Sequence, residues 1–146
     1  MKGYPDWFVP VLVGAVLLMF ATGLLLAPTT LAVRASLAVP RLPGAGRIAM
    51  AALHAAAGFA LMMLLGALWA VHMRSGWRRR RQRASGLVLG VAMLLLTASA
   101  LGVYYISDDA LSGAAAFVHL GVGLALAGPF VWHWVRGRRL RRRMRA

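Results

Sequence analysis

Four stretches of this chain, residues 7–27, 48–73, 86–106 and 114–135, are each long enough to cross the hydrocarbon core of a bilayer when wound as a helix. Few charges interrupt them, and 61% of all residues are hydrophobic, far above the level of a water-soluble domain. Apart from residues 28–47 the connections are about ten residues or fewer, so successive helices are expected to pack antiparallel. The expected fold is all-α: an integral membrane up-and-down four-helix bundle, residues 1–146 forming one transmembrane domain with a basic tail at 136–146. What remains outside the helices is too short to fold around a nucleotide, flavin or molybdenum site, so such chemistry would belong to a partner.

The loop at residues 28–47 holds Pro28, Pro40 and Pro43, and its middle, Leu31 to Val39, is apolar apart from Arg34. That composition predicts a short segment lying in the membrane interface. Near the N-terminus, Lys2 and Asp6 precede the first apolar stretch and no small-residue cleavage site is evident. The stretch therefore reads as a retained anchor.

A formal charge of +14 would suggest nucleic acid in a soluble protein. Here the cations gather at helix ends, which makes them membrane flanks and argues against a nucleic-acid partner. Arg74, Arg78, Arg79, Arg80, Arg81 and Arg83 separate the second and third helices, and Arg136, Arg138, Arg139, Arg141, Arg142, Arg143 and Arg145 follow the fourth. The loop after the first helix holds only Arg34, Arg41 and Arg47, and the one after the third holds Asp108 and Asp109. The positive-inside rule then predicts that both termini and the arginine-rich loop are cytoplasmic. Trp7, Trp69, Trp77, Trp132 and Trp134 fall near the expected interfaces, where amphipathic rings settle.

The chain has no cysteine, which excludes disulfides, thiolate-held iron–sulfur clusters, thiolate-ligated haem and covalent c-type attachment. Histidine or methionine remains as a haem ligand. All four histidines lie on the second and fourth helices, and an ionisable side chain inside a membrane helix is a functional candidate by default. His54 and His72 are 18 residues apart, about five whole turns at about 100° per residue, so they share a face. His119 and His133 are 14 apart, about 40° short of four turns, and share one as well.

With the second and fourth helices parallel, His54 is level with His119 toward the outside, and His72 with His133 toward the inside. Each pair can hold a haem iron from both sides. The levels are separated by about 27 Å on the second helix and about 21 Å on the fourth, a difference that tilt or a kink at Pro129 would absorb. Gly58 and Gly123, four residues beyond His54 and His119, would let a porphyrin approach the backbone, with Leu61, Leu65, Leu68, Leu126 and Phe130 filling the space between levels. Arg47, Arg74 and Arg136 lie within reach of haem propionates. A zinc site fits less well, because no carboxylate joins either pair and Asp6, Asp108 and Asp109 are the only acids. The bland alternative is that the histidines hydrogen-bond between helices or snorkel at the interface, which suits His72 and His133 best.

His54-Ala55-Ala56-Ala57-Gly58 parallels His119-Leu120-Gly121-Val122-Gly123, and His72-Met73-Arg74-Ser75-Gly76 parallels His133-Trp134-Val135-Arg136-Gly137, a faint duplication of one helix pair in the other. Together with Trp69-Ala70-Val71-His72 and Tyr104-Tyr105-Ile106-Ser107-Asp108-Asp109, these stretches resemble the small bacterial di-haem cytochrome b proteins. That family includes the membrane subunits of respiratory formate dehydrogenases and hydrogenases, and more distantly the cytochrome b core of quinol-oxidising complexes. The resemblance covers the last three helices. It implies two haem b groups with His54, His119, His72 and His133 as axial ligands, electron exchange with quinone, a partner oxidoreductase subunit or soluble carrier, and a place in the bacterial cytoplasmic membrane. Tyr104, Tyr105, Asp108 and Asp109 are the candidates for meeting the partner or a quinone. The competing expectation is a haem-free transporter or scaffold whose histidines relay protons or join helices. An enzyme acting on lipid or peptide has less support, since no buried carboxylate, cysteine or serine is expected to accompany the histidines.

Overall fold

Large apolar side chains cover the outside of the helices, and small or hydroxyl-bearing ones lie where helices touch. In the computed structural model, which describes residues 4–80 and 82–143, Phe59 and Met63 are 75% and 74% exposed while Thr22 and Ser85 are 2% and 1% exposed. Ala57, Ala116, Ser99 and Ser112 are buried too. Water would drive the opposite arrangement. In lipid the surroundings are as apolar as leucine, so close backbone approach and interhelical hydrogen bonds hold helices together.

The described residues form helices and no strand, as the sequence predicts. The helices are α1 (Phe8–Arg34), α2 (Gly44–Leu68), α3 (Arg74–Arg78), α4 (Arg83–Tyr105), α5 (Asp109–Ala125) and α6 (Ala127–Arg143), and a π turn, Trp69–Met73, runs between α2 and α3. Among the described residues, four stretches are long and apolar enough to cross a membrane: Phe8–Arg34, Gly44–Leu68, Arg83–Tyr105 and Asp109–Leu140. Contacts divide the chain into two compact units, residues 1–72 and 73–146.

Each unit is an antiparallel helical hairpin. In the first, α1 packs on α2, with Met19 opposite Gly58, Thr22 opposite His54 and Tyr4 opposite the π turn. In the second, α4 packs on α5 and α6, with Gly102 opposite Ala115, Ser99 opposite His119, Leu96 opposite Gly123 and Ser85 opposite His133. The hairpin in each half gives the faint sequence parallel a structural counterpart.

Three features depart from a straight reading of the apolar stretches. The first helix does not stop at Ala27 but continues through Pro28 to Arg34. Pro28 removes only the donor that would have met Leu24, and a helix satisfies the rest of this apolar backbone better than a loop at membrane depth does. The connection shrinks to residues 35–43, where Ser36 takes a left-handed conformation and Pro40 and Pro43 block helix. Leu31, Ala32 and Val33 thus end α1 instead of opening a separate interfacial segment.

Second, the helix carrying His54 and His72 passes through the π turn at Trp69–Met73. Each turn there holds more than 3.6 residues, so His72 lags behind the direction that uniform helical phase assigns it. The Tyr4 hydroxyl donates to the Ala67 carbonyl at 2.9 Å and accepts from the His72 backbone N–H at 3.3 Å, which inserts a side chain into the helical ladder at this point. Third, the last apolar stretch is interrupted at Leu126, between α5 and α6. Pro129 has no N–H to give the Ala125 carbonyl, which places the break where a kink was expected. Arg81, Arg145 and the end of the basic tail from residue 144 lie outside the described residues.

Candidate functional site: histidines braced by hydroxyls

Inside an apolar helix, a serine or threonine satisfies its hydroxyl most cheaply by donating to a carbonyl of the preceding turn. Thr22 does this on α1, at 2.7 Å from the Leu18 carbonyl, and Ser99 does it on α4, at 2.6 Å from that of Leu95. Ser85, in the first turn of α4, points its hydroxyl at the Gln82 carbonyl at 3.3 Å. Each hydroxyl has one hydrogen. Once that hydrogen is given to a carbonyl, the oxygen can only accept.

A histidine ring nitrogen lies against each of these oxygens. His54 Nδ1 is 2.7 Å from Thr22 Oγ1, His133 Nδ1 is 2.9 Å from Ser85 Oγ, and His119 Nδ1 is 3.2 Å from Ser99 Oγ. His119 Nδ1 is also 3.1 Å from the Leu96 carbonyl, which has no hydrogen to offer. In His54 and His119 the hydrogen therefore belongs on Nδ1 and the lone pair on Nε2, whereas the Ser85 hydroxyl, nearer to His133 than to the Gln82 carbonyl, braces His133 Nδ1 in either tautomer. The form in His54 and His119 is the tautomer in which Nε2 is the ligating atom, with Nδ1–H anchored by the protein so that the ring cannot turn.

Small residues make room for the rings. A Cβ added at Gly23, next to Thr22, would lie 3.3 Å from His54 Cε1, and one at Gly86, next to Ser85, would lie 4.0 Å from His133 Cε1. Ala100 occupies the corresponding place after Ser99. A hydroxyl followed by Gly or Ala on the odd-numbered spans thus accompanies three histidines on the even-numbered ones. Sequence reasoning that searched only for ligands missed Thr22, Gly23, Ser85 and Ser99. Their signal was legible as polar or glycine interruptions in apolar stretches.

His72 is held differently. It lies within the π turn, where its backbone N–H donates to the Tyr4 hydroxyl. Tyr4 itself stacks on Phe8 with ring centroids 4.4 Å apart, and Phe8 is buried. The part that Ser85 plays in the second hairpin thus falls in the first to the Tyr4 hydroxyl, which accepts from the His72 backbone N–H.

The remaining sequence candidates spread over both units. Gly58 faces Met19, whose Cε would be 3.7 Å from an added Cβ, and Gly123 faces Leu96 at 3.8 Å. Each glycine thus has a packing partner within its own hairpin. Leu61, Leu68 and Leu126 are buried and Leu65 is half-buried. Arg47 lies in the first turn of α2, Arg74 opens α3, and the Arg136 guanidinium lies 5.9 Å from the centre of the Trp132 ring.

Tyr104 and Tyr105 close α4 and are exposed. Asp108 caps α5 by accepting from the Leu111 N–H at 2.8 Å, and Asp109 begins that helix. The cap gives Asp108 a structural task of its own, since a carboxylate at a helix N-terminus satisfies an otherwise unmet donor. Comparison with protein families, with curated proteins and with solved structures gives no match for this chain.

Proposed function

We propose that this protein is a di-haem b-type cytochrome of a bacterial cytoplasmic membrane, an electron-transfer subunit between a partner oxidoreductase and the quinone pool. The observation that carries this reading is the bracing of His54, His119 and His133 through Nδ1, which fixes each ring and, in His54 and His119, puts the lone pair on Nε2. The donor set fits haem b, which takes two imidazole ligands and needs no covalent attachment. Bound haem would supply reversible one-electron chemistry. From the sequence, His54 and His119 form one ligand pair and His72 and His133 the other.

The chain's own residues would do the rest. Thr22, Ser99 and Ser85 would hold the imidazoles, the leucines along α2 and the start of the last span would exclude water, and Arg47, Arg74 and Arg136 are the propionate candidates. Tyr104, Tyr105 and Asp109 offer an exposed surface for a partner or a quinone.

A second reading is supported by the same bonds: a haem-free transporter or scaffold would use hydroxyl–imidazole pairs simply to join helices. Reduced-minus-oxidised visible spectra of the purified protein separate the two. The cytochrome reading expects sharp b-type bands and two haems per chain. A protein purified from haem-replete membranes without such bands would overturn it.

A further inference from the structure

On α6 a shallow groove runs along one face from Ala127 and Gly128, past Val131 and Trp132, to Arg136 and Arg139. We propose that this groove binds an anionic phospholipid, acyl chain toward Ala127 and Gly128 and phosphate between Arg136 and Arg139. The proposal does not depend on the haem reading.

Its dimensions suit one leaflet. Twelve residues separate Ala127 from Arg139, a rise of about 18 Å, slightly more than half of a hydrocarbon core about 30 Å thick. The chemistry changes along that length in the order a lipid requires. Missing or minimal side chains at Gly128 and Ala127 leave space beside the helix, Val131 supplies an apolar floor, and two permanent cations close the end at headgroup level.

Trp132 sits between these halves and is 45% exposed, with the Arg136 guanidinium drawn over its ring. That contact holds the cation at the interface, over the groove, where guanidinium can grip phosphate with two parallel hydrogen bonds. A second copy of the chain is a poorer occupant. Its own Arg136 and Arg139 would meet these two across a symmetric interface, adding like-charge repulsion to a chain already at +14.

Native mass spectrometry of the full-length protein with added phosphatidylglycerol or phosphatidylcholine tests the assignment. Phosphatidylglycerol is expected to be retained and phosphatidylcholine lost. Exchanging both groove cations, Arg136→Gln with Arg139→Gln, should weaken retention by about thirtyfold, since each arginine near the surface contributes about fivefold. The same charge change at Arg78 and Arg79 should weaken it less than about threefold. Gly128→Leu, which fills the groove and keeps both cations, should also release the lipid, whereas glycerol phosphate without acyl chains should not compete. Equal losses at the two arginine pairs would reduce the effect to bulk charge and overturn the site. Retention unchanged in Gly128→Leu, or a dimer that this variant breaks, would overturn it as well.

Discussion

At the level of single residues, the position of one hydrogen decides what each braced imidazole can bind. Because Thr22 and Ser99 give their own hydrogens to carbonyls, they can only accept from His54 and His119. Thr22→Val keeps the volume and removes the acceptor, and Ser99→Ala does the same on α4. Loss of such an outer-shell bond typically lowers cofactor affinity by about 10- to 100-fold. Titrating haem into the apoprotein of each variant measures this; affinities equal to the wild type would show that the hydroxyls only join helices.

Glycine makes a sharper contrast. Gly23→Val would press on His54, since even a Cβ comes within 3.3 Å of its ring, whereas Gly58→Ala meets only the end of Met19 at ordinary contact distance. The first should abolish one haem and the second should retain both, as read from the pyridine haemochrome spectrum.

At the scale of elements, each hairpin depends on how closely its helices approach. A Cβ at Gly102 would lie 2.8 Å from the Cβ of Ala115, nearer than side chains tolerate, and neither atom belongs to a flexible side chain. Gly102→Ala should therefore force α4 and α5 apart and lower the thermal midpoint by several degrees, as overpacking commonly destabilises by about 1–3 kcal/mol. Gly90→Ala, on the same helix with nothing within 4 Å, should leave the midpoint unchanged or raise it through better helix propensity. Thermal melts in detergent followed by circular dichroism compare the two. The π turn and the break at Leu126 act at this scale as well: the first contains His72 and shifts its helical phase against His54, and the second falls between His119 and His133.

At the scale of the whole molecule, two expectations concern topology and stoichiometry. If the arginine-rich loop and both termini are cytoplasmic, a C-terminal tag should resist an impermeant label in intact cells and react after permeabilisation; labelling in intact cells would invert the protein. If the four histidines form two sites far apart, each single exchange should remove one haem and leave the other. His54→Ala and His119→Ala should lose the same haem, and His72→Ala and His133→Ala the other, because distant sites behave nearly additively. A wild-type protein with one haem, lost only in the first pair, would leave a single-haem cytochrome.

The membrane class and the helical fold were legible in the order of residues, because long apolar stretches and the backbone's need for hydrogen bonds in lipid leave little else. That order also singled out four histidines, since such residues inside membrane helices are rare enough to be informative. What braces them emerges once the helices are packed against one another. Thr22 and His54 are 32 residues apart, Ser99 and His119 are 20 apart and Ser85 and His133 are 48 apart, and no local periodicity relates such positions. Their meeting is set by the register of one helix against another, which depends on small residues such as Gly102 and Ala115 coming together. The π turn was equally hidden, because it is tied to Tyr4, more than sixty residues earlier in the chain.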